Sequence, residues 1–264
     1  MKKVVYQGIE GSFSHQTTVR LGYESQGLPS FREVYEAVEK GEADLGLLPI
    51  ENTLAGTIYE TIDLLSEGSL HIVGEVDTRV EHSLLALSSL SEIRKVLSHP
   101  KALAQTKRFF EAHPWMEAVA HYDTAGAAAD VAKSGDPTLA AIAHCTAADI
   151  YGLQVLAEGI QDHAENYTRF FLISKTPTTG KKGSLCFTLE HRAGSLAELL
   201  EVLARHGINL TYIVSRPLIG KPFEYLFYID LEMTGPIPID ILKTQTLKFL
   251  GTYETVEAVS HWRH

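Results

Sequence analysis

Cysteine is scarce in this chain of 264 residues. Cys145 and Cys186 stand alone in apolar surroundings, which argues against a disulfide framework and for a reducing compartment. Positive charge is also short: 23 Lys and Arg face 33 Asp and Glu, a formal net charge of -10. Nucleic acid and anionic membrane are therefore not expected as partners. An anionic substrate would have to be drawn in by local positive features. Long apolar runs are missing too. Met1-Lys2-Lys3 leads into Val4-Val5-Tyr6-Gln7-Gly8, too short a run for a signal peptide or a membrane span, so a cytoplasmic location is expected. No HExxH, paired CxxC or carboxylate triad occurs, and neither a metal nor a cofactor is expected. The terminal His261-Trp262-Arg263-His264 reads as incidental. Glycine-rich nucleotide fingerprints, a P-loop, a GxSxG elbow, a helix-turn-helix and internal repeats are all absent.

What is present is an ordinary globular composition, 45% hydrophobic and 21% charged, in a length that suits two compact units at roughly 150 residues each. Lys3 to Gln7 reads as a buried strand, followed by a turn from Gly8 to Gln16 with two glycines and two serines ahead of a helix. Phe31, Val34, Tyr35 and Val38 form one helical face that Gly41 closes. A strand from Asp44 to Leu48 exits through Pro49-Ile50-Glu51-Asn52-Thr53 into a helix carrying Ile58, Ile62 and Leu65. Leu70 to Val76 and Ser83 to Leu87 are further strands. Lys95 to Leu97 leads through Ser98-His99-Pro100-Lys101 into a helix expected over about 102–113 that contains Gln105. Ala118 to His121 leads through Asp123-Thr124 into an alanine-rich helix, and Leu139 to Ala143 into Thr146 to Tyr151. Such alternation implies βαβ units around mostly parallel sheets. Strand after strand delivers polar groups at its C-terminal end, the edge where open α/β sheets bind ligands. A cleft between two α/β lobes is the expectation, with the chain recrossing to the first lobe after an amphipathic stretch over 151–160.

The recrossing stretch Asn166-Tyr167-Thr168-Arg169-Phe170-Phe171 sets an amide, a hydroxyl and a guanidinium at the start of a buried strand. Thr176 to Gly183 is a linker by composition. Beyond it, alternation at Leu185, Phe187 and Leu189, a helix through Leu196, Leu199, Leu200 and Leu203, and alternation at Leu210 to Val214 and Tyr225 to Leu231 follow in turn. A weaker helix over about 239–250 and a last strand over about 254–259 complete a βαββαβ, ferredoxin-like order. Nothing in this half resembles a catalytic constellation.

Taken together, Gly8 to Gln16, Pro49-Ile50-Glu51-Asn52, His99 to Gln105, Asp123-Thr124-Ala125 and Asn166-Tyr167-Thr168-Arg169-Phe170 resemble prephenate dehydratase. The second half resembles the ACT regulatory domain that usually follows, with Gly194-Ser195-Leu196-Ala197 and Ser215-Arg216-Pro217 at its two effector motifs. The resemblance implies a periplasmic-binding-protein-like pair of α/β lobes, roughly residues 1–78 plus 158–176 and 79–157, within a catalytic domain over 1–176. An α+β ferredoxin-like ACT domain over 183–264 would follow. It implies conversion of prephenate to phenylpyruvate with loss of water and carbon dioxide, an essential hydroxyl at Thr168, and feedback by L-phenylalanine in a homodimer or homotetramer.

On that reading Thr168 donates to the leaving hydroxyl, while the glycine loop with Ser12 or Ser14 takes a carboxylate. Asn52, Thr53, Gln105, Thr124, Asn166 and Phe170 complete the substrate site. Arg169 has two readings, a carboxylate partner or an anchor for its strand. His15 has two as well, a rival proton donor or a solvent-facing helix-start residue. Glu51, so near an anion, is useful only if neutral or turned to another protein group. The effector is expected near Gly194, Ser195, Leu196, Ala197, Asn209, Leu210 and Thr211, with Ser215 and Arg216, between subunits. Val214 stands where the family carries Glu, which removes a carboxylate from that region. Two other functions fit the same residues: arogenate dehydration, and a non-catalytic module that senses or binds a small molecule.

Overall fold

A computed structural model describes residues 2–256 apart from Ile219, Thr234, Pro236 and Pro238. The terminal histidines singled out above lie outside the described residues. The chain begins with β1 (Lys3–Gln7), α1 (Phe13–Arg20), β2 (Glu24–Leu28), α2 (Phe31–Lys40), β3 (Leu45–Asn52), β4 (Gly56–Thr57), α3 (Tyr59–Glu67) and β5 (His71–Arg79). It continues through β6 (Ser83–Ala86), β7 (Lys95–Ser98), α4 (Pro100–Ala104), α5 (Lys107–Ala112), β8 (Glu117–Ala120), α6 (Thr124–Ser134), β9 (Leu139–Ala143), α7 (Thr146–Tyr151) and β10 (Gln154–Ala157). Then come β11 (Tyr167–Ser174), β12 (Lys182–Thr188), α8 (Ser195–Arg205), β13 (Asn209–Pro217), β14 (Tyr225–Glu232) and β15 (Thr246–Tyr253).

Local signals set many of these boundaries. Ser30 caps α2 by accepting from the Glu33 N–H, an otherwise orphaned donor, while its hydroxyl donates to the Glu33 carboxylate. Gly41 then ends the helix in the left-handed region at φ 80°. Val34, Tyr35 and Val38 bury their shared face against β3 and β11.

The strands form a first sheet in the order β2-β1-β3-β11-β5 with β4 on β3, a second in the order β10-β6-β9-β7-β8, and a third in the order β13-β14-β12-β15. In the first, β1 runs parallel to β2 and β3, whereas β11 enters antiparallel between β3 and β5. This is the recrossing foreseen above, and it puts two α/β lobes in a periplasmic-binding-protein-like arrangement.

The third sheet has the ferredoxin-like order with every neighbouring pair antiparallel. Its α8 face buries Leu199 and Leu203 against Leu185, Phe187, Ile229 and Leu231. Its other face joins the first lobe. Cys186, Tyr228, Leu250 and Tyr253 share one core with Ile72 and Phe171. Rings fully removed from water contribute on the order of 2–3 kcal/mol each, so the ferredoxin-like half is welded to the lobe that carries β11.

Two expected elements fold otherwise. The helix foreseen over 239–250 is absent: a 3₁₀ turn at Ile239–Ile241 is all that forms before β15 pairs with β12. The β-branched Thr246 and Thr252 and the aromatic Phe249 and Tyr253 suit a strand better than a helix. The helix foreseen over 102–113 breaks at Gln105 and Thr106. There the Thr106 hydroxyl donates back to the Ala102 carbonyl, and the Asp162 carboxylate caps α5 by accepting from the Lys107 and Arg108 N–H groups. The stretch after α7 pairs as β10 against β6.

Gly251, at φ 137°, lets β15 lie on β5: a Cβ there would sit 2.4 Å from the Ile72 carbonyl oxygen. Gly251→Ala is expected to destabilise the chain by about 2 kcal/mol or more, from strain and overpacking together. Urea unfolding reads this, and an unchanged midpoint would show that the two halves dock without that contact.

Candidate active site

Between the lobes lies a cleft of about 770 Å³. Three helices present their N-terminal ends to it: Ser12, Phe13 and Ser14 at the start of α1, His99 and Lys101 at α4, and Asp123 and Thr124 at α6. Helix N-termini carry partial positive charge and free N–H groups. Lys101 adds a full charge. The Asp123 carboxylate does not oppose them freely, because it caps α6 by accepting from the Ala125 N–H. The cleft thus favours an anion despite the acidic chain. Gly8 (φ 113°) and Gly11 (φ 84°) take the loop before α1 through conformations that side chains resist.

Thr168 lies on the cleft wall where β11 pairs with β3, directly opposite Asn52. The Asn52 oxygen accepts from the Leu54 and Ala55 N–H groups at 3.1 and 2.8 Å. Backbone N–H groups only donate, so this contact fixes which way the amide faces. The Asn52 nitrogen must therefore point back, where its two N–H bonds are shared among Thr168 Oγ1 (3.1 Å), the Asn166 oxygen (2.9 Å) and the Tyr167 carbonyl (3.1 Å). The consequence is chemical. Thr168 Oγ1 is an acceptor within the protein, so its own proton is left for a group in the cleft.

The amide relay continues. Asn166, fully buried, donates to the Gln105 oxygen at 3.2 Å, and His82 bonds the same oxygen through Nε2 at 3.0 Å. That contact requires the proton on Nε2 and leaves His82 Nδ1 as a buried acceptor without a partner. Burial, opposed by the Gln105 contact, lowers the His82 pKa. Nearby, the Phe13 ring meets both His82 and His144 edge-on, and His144 bonds Gln16 at 2.7 Å. Burial, and then the charges of His82 and Arg20, push His144 down to about 4.

Of the residues proposed from sequence, Ser12, Ser14, Asn52, Gln105, Thr124 and Thr168 line this cleft. Asn166 supports it from behind. Others turn away. His15 accepts from the Gly11 N–H through Nδ1 and packs its ring on Tyr6. Burial lowers its pKa, so it holds the glycine loop as a neutral ring and is poorly suited to supply a proton. Thr53 reaches the other way, accepting from the Tyr167 N–H.

Glu51, Arg169 and Phe170 are corrections of one kind. Successive strand residues face opposite sides, so with Thr168 and Asn52 in the cleft, Arg169 and Glu51 lie on the far face of the sheet, 3.4 Å apart. There Arg169 reaches Asp230 at 2.7 Å and Glu75 at 3.3 Å, which makes it an anchor and not a carboxylate partner for substrate. A register shift after Arg169 tucks Phe170 into the core with Tyr6 and Leu47.

Sequence reasoning missed His82, Lys101, Tyr122 and Gln7 as lining residues. Lys101 follows the His99-Pro100 helix start and could have been found as the cation nearest a helix N-terminus. His82 carried no local signal.

A cleft between two α/β lobes, positive at its helix ends, with the Thr168 hydroxyl held by an amide and a ferredoxin-like unit docked behind it, defines a small-anion enzyme of the α/β class with a regulatory module. The chain belongs to the prephenate dehydratase family: that family's model matches residues 4–178, and the ACT domain model matches residues 185–240. It is 40% identical over 276 residues to arogenate dehydratase/prephenate dehydratase 2, chloroplastic, of Arabidopsis thaliana, covering 95% of this chain and 72% of that protein. Among solved structures, prephenate dehydratase in complex with L-Phe from Arthrobacter aurescens superposes with a TM-score of 0.86 at 27% identity, over 98% of this chain and 93% of that one. GqqA, described as a novel type of quorum quenching acylases, superposes with a TM-score of 0.88 at 32% identity, over 97% and 98%.

The buried histidines make the fold sensitive to acid. His144 is neutral in the folded chain down to about pH 4, whereas an exposed imidazole binds a proton near 6.5. Its contribution is complete above 6.5 and is lost as pH falls from there to about 4, by up to roughly 3 kcal/mol. Urea midpoints between pH 7 and 4.5 should fall steeply for the wild type and less steeply for His144→Gln. Parallel curves would contradict this assignment.

Proposed function

We propose that the cleft converts prephenate to phenylpyruvate and that Thr168 supplies the hydrogen bond on which the leaving hydroxyl departs. The observation that carries this reading is the orientation of Asn52, which donates to Thr168 Oγ1 and so leaves the Thr168 proton free for a group in the cleft. Prephenate is a dianion. Its ring carboxylate leaves as carbon dioxide, that bond's electron pair enters the ring, and the opposite carbon–oxygen bond breaks as the hydroxyl takes a proton through Thr168 Oγ1, which solvent resupplies, and departs as water. The gain of an aromatic ring drives the step, so the protein needs only to orient, to hydrogen-bond the departing oxygen and to keep water from the carboxylate. Lys101 and the N-terminal ends of α1 and α6 suit the two carboxylates.

Arogenate differs from prephenate only in carrying an amino group for the keto group, and the dehydratases of both substrates share this fold. An acylase reading, suggested by the GqqA likeness, asks Thr168 to act as a nucleophile with a base in hydrogen-bond reach. Its polar neighbour here is the Asn52 amide, which supports donation from the hydroxyl and not activation of it.

The division into a catalytic domain over 1–176 and a regulatory domain over 183–264 belongs to the same proposal, with L-phenylalanine as effector. Asn209 pairs across β14 at the level of Lys182, whereas Gly194 to Ala197 follow Thr188 at the other end of β12. Within one chain the two groups are separated by roughly 20 Å of strand. Antiparallel pairing of the edge strand β13 with a second copy would bring them together, which supports a shared effector site in a homodimer or a tetramer built from one. Arg216 is already committed to Asp63 on α3 and stacks on Tyr59, so Ser195, Thr211 and Ser215 are better placed for the effector. Val214 packs, half-buried, against the core shared with the first lobe, where a carboxylate would lose part of its hydration. The two free thiols suit a reducing cytoplasm.

A coupled assay offering prephenate and arogenate, with and without phenylalanine, tests the proposal. Turnover of prephenate is expected. Thr168→Ala should lower kcat by about 100-fold or more while Thr168→Ser retains most of it. Lys101→Met should raise KM about 10-fold with a smaller effect on kcat, as for a charge that binds ground state and transition state alike. A folded protein inert toward both cyclohexadienes would overturn it.

A further inference from the structure

The far side of the catalytic strand carries a group that the dehydration as described does not use. Arg169, adjacent to Thr168, lies at the junction between β11 and the regulatory half. Its Nη1 donates to Asp230 on β14 at 2.7 Å and to Glu75 on β5 at 3.3 Å. The guanidinium lies 4.9 Å over the ring of Tyr212 on β13 and 5.4 Å over Phe171. Asp230 is itself buried and held by the hydroxyls of Ser184 and Tyr228. Tyr212 also bonds Thr57 on β4, and Thr57 is the cross-strand partner of Glu51.

Register makes this arrangement consequential. Thr168 pairs with Asn52 and Arg169 with Glu51 across the same two strands. One pair faces the cleft and the other faces the regulatory domain, so the ribbon cannot turn on one side without turning on the other. The clamp is also incomplete. Arg169 Nε and Nη2 are buried without hydrogen-bond partners, and Glu51 stands 3.4 Å from Nη2. A cavity of about 380 Å³ lined by Glu51, Thr53, Asp77, Tyr167 and Arg169 lies alongside. The guanidinium therefore has a third carboxylate, beyond Asp230 and Glu75, to turn to and room in which to turn.

We propose that Asp230 is a positioning residue for the dehydration: from the regulatory domain it holds Arg169, and through the Arg169–Glu51 rung it sets the Thr168–Asn52 rung on the opposite face. Loss of that hold lets Arg169 close on Glu51 and rotates the Thr168 hydroxyl off its aim. Movement of the regulatory sheet reaches the cleft by this path. The inference rests on the dehydratase reading above.

The test uses the full chain and starts from wild-type turnover of prephenate; its absence would refute that reading and leave this one without an object. Given turnover, Asp230→Asn keeps acceptors for Ser184 and Tyr228 but turns a donor toward Arg169. The expected result is a fall in kcat of about 10-fold or more with KM within about 3-fold, since small misalignment of a positioned group is costly, and partial recovery in Asp230→Glu. Cys186→Ala is the control. It thins the same buried interface without touching Arg169, and should lower Tm while leaving kcat within about 2-fold. Should Asp230→Asn not fold, Tyr212→Leu removes the ring beneath the guanidinium and the bond to Thr57, and is expected to lower kcat in the same way. Unchanged kcat in a folded Asp230→Asn or Tyr212→Leu protein, or an equal fall in Cys186→Ala, would overturn the proposal.

Discussion

The two-residue period of β11 is the constraint on which the molecule turns. Entering antiparallel beside β3, the strand must face Thr168 one way and Arg169 the other. The cleft receives a hydroxyl, and the regulatory half receives a guanidinium that meets Asp230 and Glu75. A slip of one residue would exchange them, burying an uncompensated cation toward the cleft and leaving Asp230 without its cation, while Glu75 would keep only Lys182. Opposite-charge partners on the far face therefore help to hold the register that puts the hydroxyl in the cleft.

Around that strand the chain assembles a reagent from weak parts. A threonine is a poor acid, and nothing in the cleft makes it a strong one. It gains direction: Asn52, pinned by the Leu54 and Ala55 N–H groups, fills the Thr168 lone pair. Asn166, Gln105 and His82 continue the chain of amides. Burial keeps His82 and His144 neutral, so the positive character that suits an anion comes from the helix ends and Lys101. For a substrate already disposed to become aromatic, orientation and exclusion of water supply much of what is needed.

Much of this was legible in the residues. Alternation of apolar strands with amphipathic helices gave the lobes, and polar clusters at strand ends marked one edge as the cleft. What escaped was direction. Glu51, Asn52, Thr53 and Thr168, Arg169, Phe170 are consecutive, and a motif does not say which member faces which side. Phase depends on pairing, and pairing is a tertiary fact. The low apolar content of Glu24–Leu28 hid β2 at the sheet edge. The region over 239–250 misled because Leu242, Leu247 and Leu250 allow a helical reading, whereas antiparallel pairing with β12 imposes a strand. His82 had no signal at all, since its importance arises from Gln105 and Phe13, which reach it from elsewhere in the chain.

The central claim is that Asn52 acts by aiming the Thr168 proton. A double-mutant cycle on kcat with Asn52→Leu and Thr168→Ala tests it most directly, because groups that act as one unit fail to add. The account predicts that the double variant is no slower than Thr168→Ala alone. Losses that simply multiply, in folded proteins, would mean that the two side chains work independently and that the amide does not direct the hydroxyl.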